Sequence, residues 1–351
     1  MTSQPDQRVC VYGAQLISKY LKDLPQEIEG AKTGGDIEHV HRMRVATRRL
    51  RSSMPMFRSC IPKSKYKLWL KEIQNITKSL GSVRDFDVKI DCISKIIHKE
   101  DIERKYKPGL SRIILRLSQR RNKLQDHVHQ TLDSLSDSNI VNEMVDYFKI
   151  LIKDNDQDFT YTHALYDLAY KNISTRLTNM LYYEDKALNP VNISDLHKMR
   201  IAVKYLRYTL ETFSRLYNDD LNDSILITRK LQEILGDIHD CDVWLEFLPN
   251  FTNKEINRTI NYYGHSRPFS RLKPGLEFFT ENRQEERYRL FDLFYSNWLQ
   301  WQSENVWDKL NEKIYLPIKI TESIYPTAQT ITLSTTIYPL KPVVNSKNNK
   351  E

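Results

Sequence analysis

The sequence predicts an all-α protein made of two similar halves, each a bundle of four helices. Glycine and proline are scarce, at nine and thirteen in 351 residues, which is few for a β-rich chain and favours long helices. Apolar residues recur at helical spacing along most of the chain. Two different motifs also occur twice each, at offsets of 156 and 155 residues. This common offset indicates an internal duplication.

The composition supports a packed interior and a locally concentrated positive charge. Hydrophobic residues make up 40% of the chain and aromatic residues 11%, which excludes a wholly disordered protein. The net charge is +8, although 45 acidic residues are present. The position of the basic residues should therefore matter more than their excess.

The cysteines and the hydropathy pattern predict a cytoplasmic protein. Cys10, Cys60, Cys92 and Cys241 include no Cys-x-x-Cys pair, so we expect reduced thiols and no zinc ribbon. The N-terminus lacks a basic segment followed by an apolar one, and no run of about 18 apolar residues occurs. We therefore expect no membrane association.

The first predicted helix covers residues 9–24 and ends at Pro25. A turn at residues 33–36 follows, and Asp36 suits the N-cap of the next helix. That helix should kink or end at Pro55, because a proline there removes a backbone hydrogen bond.

This second predicted helix carries a row of cations on one side. Spacings of three, four and three residues place four basic side chains within an arc of about 80° on a helix. Apolar residues occupy the opposite side and should face the core. The first stripe is His41, Arg44, Arg48 and Arg51, and the opposing apolar residues are Met43, Ala46, Leu50 and Phe57.

The same pattern returns in the second half of the chain. Neither copy includes an acidic residue, whereas solvated helix faces normally mix charges of both signs. The repeated pattern therefore predicts a surface that binds an anion. The second stripe is His197, Arg200, Lys204 and Arg207, opposed by Met199, Ala202, Leu206 and Phe213.

The second repeated motif is Leu-Gly-x-x-(Arg/His)-Asp-x-Asp-Val, at residues 80–88 and 235–243. We expect its glycine to end one helix and its first aspartate, Asp85 or Asp240, to cap the next. The second aspartate, Asp87 or Asp242, then suits the helix dipole. We interpret these aspartates as structural, with catalysis or metal binding as the alternative.

The remaining segments complete the two halves. Residues 110–132 and 276–299 resemble a third matched pair of basic helices, and residues 163–183 mirror the first helix. Residues 154–158 form a polar joint, and residues 250–274 should form a loop insertion. The predicted units are residues 9–155, residues 160–312 and a C-terminal appendage, residues 316–351. In the appendage, residues 330–338 alternate like a strand of a β-hairpin, and its end should be disordered.

The two stripes and the two aspartate motifs resemble the CHAD family, the conserved histidine α-helical domain. The resemblance covers roughly residues 9–310, in a chain that carries no further recognised domain. It implies two pseudo-symmetric four-helix bundles whose basic helices line a central groove or pore that binds inorganic polyphosphate. It places the eight stripe residues at the binding positions. Further candidates, off the stripes, are Arg42, Arg49, Lys198, Arg84, Arg120 and Arg287.

The chemistry of these residues agrees with the resemblance. Polyphosphate offers only negative charge, and the guanidinium fork donates paired hydrogen bonds to phosphate oxygens while keeping its charge. The histidines can donate when neutral, and a nearby polyanion should favour their protonated form. The predicted function is non-catalytic polyphosphate binding without metal or cofactor, and recruitment to polyphosphate granules is compatible with it.

Two other functions stay open as alternatives. An enzyme is disfavoured because the Glu-x-Glu-x-Lys motif of triphosphate tunnel domains, the P-loop and the His-Glu-x-x-His motif are absent from the sequence. His239-Asp240 resembles a metal-dependent phosphohydrolase motif, but its repeat partner is Arg84-Asp85. Binding to an RNA phosphate backbone is the principal alternative, although the twenty tyrosines show no RNA-binding pattern. The oligomeric state is not predicted.

Overall fold

The structure is a computed structural model that describes residues 6–22, 24–34, 37–153 and 161–324, and every regular element within these ranges is a helix. The all-α fold class is thus confirmed. Short 3₁₀ helices cover Arg58–Cys60, Ser214–Tyr217 and Arg267–Arg271. The α-helices are α1 Gln7–Lys22, α2 Leu24–Thr33, α3 Ile37–Ser53, α4 Lys63–Ile97, α5 Lys107–Ser138, α6 Ile140–Lys153, α7 His163–Leu181, α8 Glu184–Ala187, α9 Ile193–Phe213, α10 Asn222–Tyr263, α11 Lys273–Ser303 and α12 Val306–Ile324.

The early helix boundaries agree with the sequence except at Pro25. This proline lies in the first turn of α2, a helix that was not predicted; a proline is tolerated there because the first backbone N–H groups have no helical acceptor. α3 ends at Ser53, two residues before Pro55, as expected. The predicted cap Asp36 and the joint at residues 154–158 lie outside the described residues.

The prediction that a glycine ends a helix in each aspartate motif is wrong. α4 continues through Gly81 and α10 continues through Gly236, so the motif aspartates lie inside long helices and do not cap them. A glycine inside a helix costs only about 1 kcal/mol relative to alanine. Leu80 and Val83 are both fully buried beside Gly81, and their burial outweighs that cost.

The loop insertion predicted for residues 250–274 is also wrong. α10 continues to Tyr263 and ends at Gly264, which has a φ of 76°; glycine adopts this left-handed conformation without strain. A 3₁₀ helix then leads into α11. The extra residues of the second half are therefore mostly helical, and Pro249 lies inside α10.

Two of the three buried hydrophobic clusters follow the predicted halves. The first core draws on α1 to α6 and includes Trp69 and Phe148. The second core draws mainly on α7 to α12 and includes Phe213 and Trp298. The apolar residues opposite both stripes are buried in these cores, as their spacing predicts. The pairing into two four-helix bundles and the central groove remain predictions.

The first helix contributes to both cores. Ala14 and Ile17 belong to the first core, whereas Val9 and Tyr12 belong to the second. The Tyr12 hydroxyl donates to the carbonyl oxygen of Thr212 at 2.8 Å. The start of α1 is thus packed against the second half of the chain, across the predicted boundary at residues 155–160.

A third cluster, the distal core, lies where α4 and α5 meet α10 and α11. Here Gly109 of α5 lies against Gly275 of α11, and a Cβ atom on Gly109 would approach the backbone oxygen of Leu272 to 2.3 Å. Both glycines belong to the tetrapeptide Lys-Pro-Gly-Leu, which occurs at residues 107–110 and 273–276. Only glycine permits this close approach of two backbones.

The expectation of four reduced cysteines is wrong for two of them. Cys10 of α1 and Cys60 of the first 3₁₀ helix form a disulfide, with their Cα atoms 5.2 Å apart. The absence of a Cys-x-x-Cys pair carries no information about cysteines that the fold brings together from 50 residues apart. Cys92 and Cys241 are free, and Cys241 is buried.

The C-terminal helix continues beyond the boundary predicted at residue 312. α12 runs to Ile324, so the first part of the segment expected to be an appendage, residues 316–324, is helical. The strand-like residues 330–338 lie outside the described residues. Among the helices that the structure does describe, none is both long and apolar enough to cross a membrane.

Candidate functional site

The first stripe lies on the side of α3 that faces away from the first core. His41, Arg44 and Arg48 are half-buried and Arg51 is exposed. The Nη2 atom of Arg44 lies 3.5 Å from a carboxylate oxygen of Asp85 on α4. The helical spacing places these cations in one row along α3, and partial burial restricts the movement of His41, Arg44 and Arg48.

The second stripe lies on α9, which packs directly against α3. All four of its residues are half-buried. Tyr208 joins the stripes, because the Cζ atom of Arg48 lies 5.6 Å from the centre of its ring and that of Arg207 lies 5.0 Å from it. A cation over an aromatic face is attracted to it, so the ring holds one arginine from each stripe.

Lys204 is the residue on which the two stripes converge. Burial is the largest cause of a lowered pKa at its ammonium, and Arg48 and Arg200 are the next largest. Arg51 and Arg44 lower it further, and the pKa falls to about 8. Cations from both helices therefore lie close enough to oppose the charge on one lysine.

The histidines that begin the stripes are in different surroundings. Burial lowers the pKa of His41, and the Arg84 guanidinium is the next largest cause, which places Arg84 beside the first stripe. His197 also has a lowered pKa through burial and then Arg200. Its Nδ1 atom lies 3.1 Å from Nδ1 of His239 on α10.

The surroundings of the two paired histidine rings favour their neutral forms, because the pKa of each is lowered. Burial, Arg200 and His197, in that order, lower the pKa of His239 to about 4. Because the two Nδ1 atoms are at hydrogen-bond distance, one ring donates a proton and the other accepts it. His239 thus extends the second stripe onto α10, and the signal in the sequence is that it occupies the repeat position of the candidate Arg84.

The aspartates of the repeated motif divide into two roles. The first aspartate of each motif lies near a stripe arginine. Asp85 contacts Arg44. Burial lowers the pKa of Arg200, and Asp240 is the largest cause that raises it. The second of each pair makes an ion pair with the following basic helix. These pairs are Asp87 with Arg121, at 3.1 Å, and Asp242 with Arg287.

Arg287 therefore does not join the stripes. It is buried, its Nε atom contacts Asp242, and its Nη2 atom donates to the carbonyl oxygen of Pro190 at 2.8 Å. These contacts hold α11 to α10 and to the segment that precedes α9. The basic pattern of α11 does not reveal that Arg287 pairs with Asp242.

The other residues predicted off the stripes have partners of their own or lie elsewhere. Arg42 donates to Glu27 at 2.7 Å, and Lys198 lies 3.1 Å from Asp195. Arg49 lies over the ring of Tyr20 at 5.7 Å. Arg120 is exposed and lines a separate cavity between α4, α5 and α10.

Three stripe arginines have buried hydrogen-bond donors without an acceptor in the described part of the chain. They are the Nε atoms of Arg44, Arg200 and Arg207; the nearest acid to the last is Glu211, at 3.7 Å. Buried donors are nearly always paired. These three donors can therefore serve an oxygen-rich ligand. Within the same described residues, no group of three or more His, Cys, Asp or Glu side chains could hold a metal ion.

Comparison with known structures shows the same fold in two proteins of low sequence identity. The first is the crystal structure of the CHAD domain from the plant Ricinus communis, at 18% identity and a TM-score of 0.55, covering 88% of this chain and 91% of that one. The second is PptA from Streptomyces chartreusis, at 13% identity and a TM-score of 0.55, covering 82% and 98%.

Comparison with sequences gives two further results. No curated protein matches the chain. The family model of the CHAD domain matches residues 15–249, which include both stripes and both aspartate motifs and amount to more than half of the sequence. The chain therefore belongs to the CHAD domain family.

Proposed function

We propose that this protein binds inorganic polyphosphate, without catalysis, on the surface that the two stripes share. The observation that carries the proposal is the convergence on Lys204, whose pKa is lowered to about 8 by burial and by arginines of both helices. Such a concentration of half-buried cations is unfavourable by itself and becomes favourable when a polyanion neutralises it.

The hydrogen-bonding chemistry supports the same ligand. Guanidinium groups bind phosphate oxygens with paired, charge-assisted hydrogen bonds. The Nε donors of Arg44, Arg200 and Arg207 have no hydrogen-bond acceptor among the described residues, and each phosphate unit of a polyphosphate carries oxygens that can accept. The neutral His197–His239 pair supplies a further donor at the end of the second stripe.

The test is a titration of the double variant Arg44→Glu and Arg48→Glu with long-chain polyphosphate. We expect a loss of affinity of roughly 100-fold, because two phosphate contacts are replaced by repulsion within a screening length. The fold should persist, since the apolar side of α3 is unchanged. A matched control is Lys309→Glu with Lys319→Glu, which makes the same charge change at exposed positions of α12.

The control variant should bind almost as tightly as the wild type. Equal affinities in the stripe variant and the wild type would disprove the assignment of the site. Circular dichroism of each variant separates a loss of binding from a loss of structure.

RNA binding is distinguished from polyphosphate binding by competition. Labelled long-chain polyphosphate is displaced by unlabelled polyphosphate, single-stranded RNA or duplex DNA at matched charge and physiological ionic strength. We expect polyphosphate to compete best, because Tyr208 is buried between two arginines and offers no open face on which a base could stack. Equal or better competition by RNA would favour the nucleic-acid alternative.

A location in the cytoplasm, at polyphosphate granules, is part of this proposal. The observation that opposes it is the disulfide between Cys10 and Cys60, because disulfides persist mainly in oxidising compartments. Fluorescence imaging of the tagged full-length protein beside a polyphosphate stain decides the question.

A further inference from the structure

A second concentration of positive charge lies outside the stripes. A cavity of about 600 Å³ opens between α4, α5 and α10, with one acid, Glu246, in its wall. Apolar contacts come from Phe247 and Phe251. The basic residues that line the cavity are Lys89, Arg116, Arg120, Lys123, Lys254 and Arg258.

Glu255 fixes part of this wall from beneath. Its side chain is 1% exposed and makes ion pairs with Arg112, Arg116 and Arg258, the first two at 3.2 and 2.8 Å. One buried carboxylate thus holds three guanidinium groups, and a net positive charge remains. Because three guanidinium groups share one carboxylate, Glu255 positions the arginines and neutralises only one of their three charges.

The rim of the cavity carries cations that are not neutralised by the protein. Arg120, Lys123 and Lys254 are exposed, and within the described residues none of them makes an ion pair. Lys89 lies above two aromatic rings, with its Nζ atom 5.8 Å from the centre of the Trp244 ring and 5.7 Å from that of Phe247. The unpaired charges face the space that a ligand would occupy.

One side of α10 leads from the second stripe into this cavity. His239 lies 3.1 Å from His197 of the stripe. Residues 243, 247, 250 and 254 follow at spacings of four, four, three and four, and all of them line the cavity. Such spacings keep residues on one face of a helix, here over about 22 Å. Lys89 is close enough to His239 to lower its pKa.

We propose that the anion-binding surface continues from the second stripe, past His239 and Lys89, into this cavity. A long polyphosphate chain then contacts both regions at once, whereas a short chain is held by the stripes alone. This inference rests on the proposed function and adds to it a second contact region and a dependence on chain length.

The experiment compares tripolyphosphate with long-chain polyphosphate on the full-length protein. The cavity variant is Arg120→Glu with Lys123→Glu, the stripe variant is Arg44→Glu with Arg48→Glu, and the control is Lys309→Glu with Lys319→Glu. We expect the cavity variant to lose roughly tenfold in affinity for the long chain and less than about twofold for tripolyphosphate. The slope of log K against log[salt] should become less steep by roughly 0.7 for each phosphate contact that is lost, the value known for single-stranded nucleic acids.

The possible outcomes separate the inference from the function on which it rests. If the wild type binds neither anion, the proposed function fails. If the wild type binds both and the cavity variant keeps its full affinity and salt dependence for the long chain, the continuation into the cavity is disproved. Equal losses for both anions in the cavity variant would also disprove it, because they indicate a separate site for compact anions.

Discussion

The folded protein disfavours the positively charged form of Lys204. Its pKa of about 8 reflects burial first and neighbouring arginines second. A bound polyanion reverses the second effect, because a negative charge nearby favours the protonated ammonium. Binding should therefore be accompanied by proton uptake wherever Lys204 is partly deprotonated in the free protein.

We predict that polyphosphate affinity falls as the pH rises through about 8. The fall should be about tenfold between pH 7 and pH 9, since one pKa unit corresponds to a factor of ten between the two protonation states. Isothermal titration calorimetry at constant ionic strength, in buffers of different ionisation enthalpy, measures both the affinity and the protons taken up. Lys204→Arg is the matched control, because arginine keeps its charge throughout.

A pH profile as steep in Lys204→Arg as in the wild type would assign the effect to another group.

The stability of the free protein should change with pH in the direction opposite to the affinity. The unfolded chain binds a proton at Lys204 more tightly than the folded chain does, so stability rises between about pH 8 and the ordinary lysine pKa near 10.5.

At the scale of residues, periodicity predicted the stripes but not their partners. His41 to Arg51 and His197 to Arg207 could be placed on one side of a helix because their spacing alone determines it. The contacts of Arg287 with Asp242 and of Arg121 with Asp87 join residues from different helices. No local pattern encodes such pairs, so the sequence does not separate Arg287 from the arginines of the stripes.

The crossing of α5 and α11 is the tightest helix contact that the glycines of the structure identify. Gly109 and Gly275 face each other at the starts of the two helices, and a Cβ on Gly275 would lie 2.1 Å from the backbone oxygen of Tyr106. The stacked rings of Tyr106 and Phe278, 4.4 Å apart, lie at the same crossing. Because the opposing atoms belong to the backbone, no side-chain rotation can make room.

Gly109→Ala should therefore destabilise the protein by about 1–3 kcal/mol, the usual cost of overpacking. Gly236→Ala is the matched control, since a Cβ there meets nothing within 4 Å, and alanine inside a helix should add about 0.5–1 kcal/mol of stability. Urea denaturation of both variants measures the free energy of unfolding. A Gly109→Ala variant as stable as the wild type would show that the crossing adapts.

At the scale of elements, long helices were easier to predict than their ends. Pro55 acted as predicted, whereas Gly81, Gly236 and Pro25 did not. Glycine and proline are weak stop signals, with local effects of about 1–3 kcal/mol, and burial of the neighbouring residues can exceed them. A Cβ atom at Gly81 would lie 3.7 Å from the Nε atom of Arg44, an ordinary van der Waals contact, so an alanine would also fit there.

The whole molecule is held together partly by the start of its first helix. Tyr12 stacks on Phe213 with ring centres 6.1 Å apart, and Phe57 lies a similar distance from both. The disulfide from Cys10 to Cys60 lies in the same cluster. The second core is thus completed by residues of the first half, so we expect the two halves to unfold together.

Reduction should lower the free energy of unfolding by about 2–4 kcal/mol, the range for a disulfide that closes a loop of this size. The measurement is urea denaturation with and without dithiothreitol. The variant Cys10→Ser with Cys60→Ser should be less stable and insensitive to the reductant. Equal stability of oxidised and reduced wild type would contradict the assigned role of the disulfide.

At the scale of the molecule, the sequence predicted the fold class and the family but not the shared core. The two-unit division follows from the repeats, and the repeats do not show which residues of one half pack against the other. The apolar residues of α1 enter two different cores. Their helical spacing in the sequence predicts a buried side but does not show which core each residue joins. Only the packing of α1 against both halves reveals the dependence.

This divided packing has a consequence for synthesis on the ribosome. Tyr12 and its acceptor Thr212 are 200 residues apart, which at about 5–20 residues per second corresponds to a delay of roughly 10–40 s. During that interval the start of α1 is already translated while its partners in the second half, such as Thr212 and Phe213, are not. Cys60 follows Cys10 by only 50 residues, so an early disulfide would hold the nascent helix in place until the rest of the chain arrives.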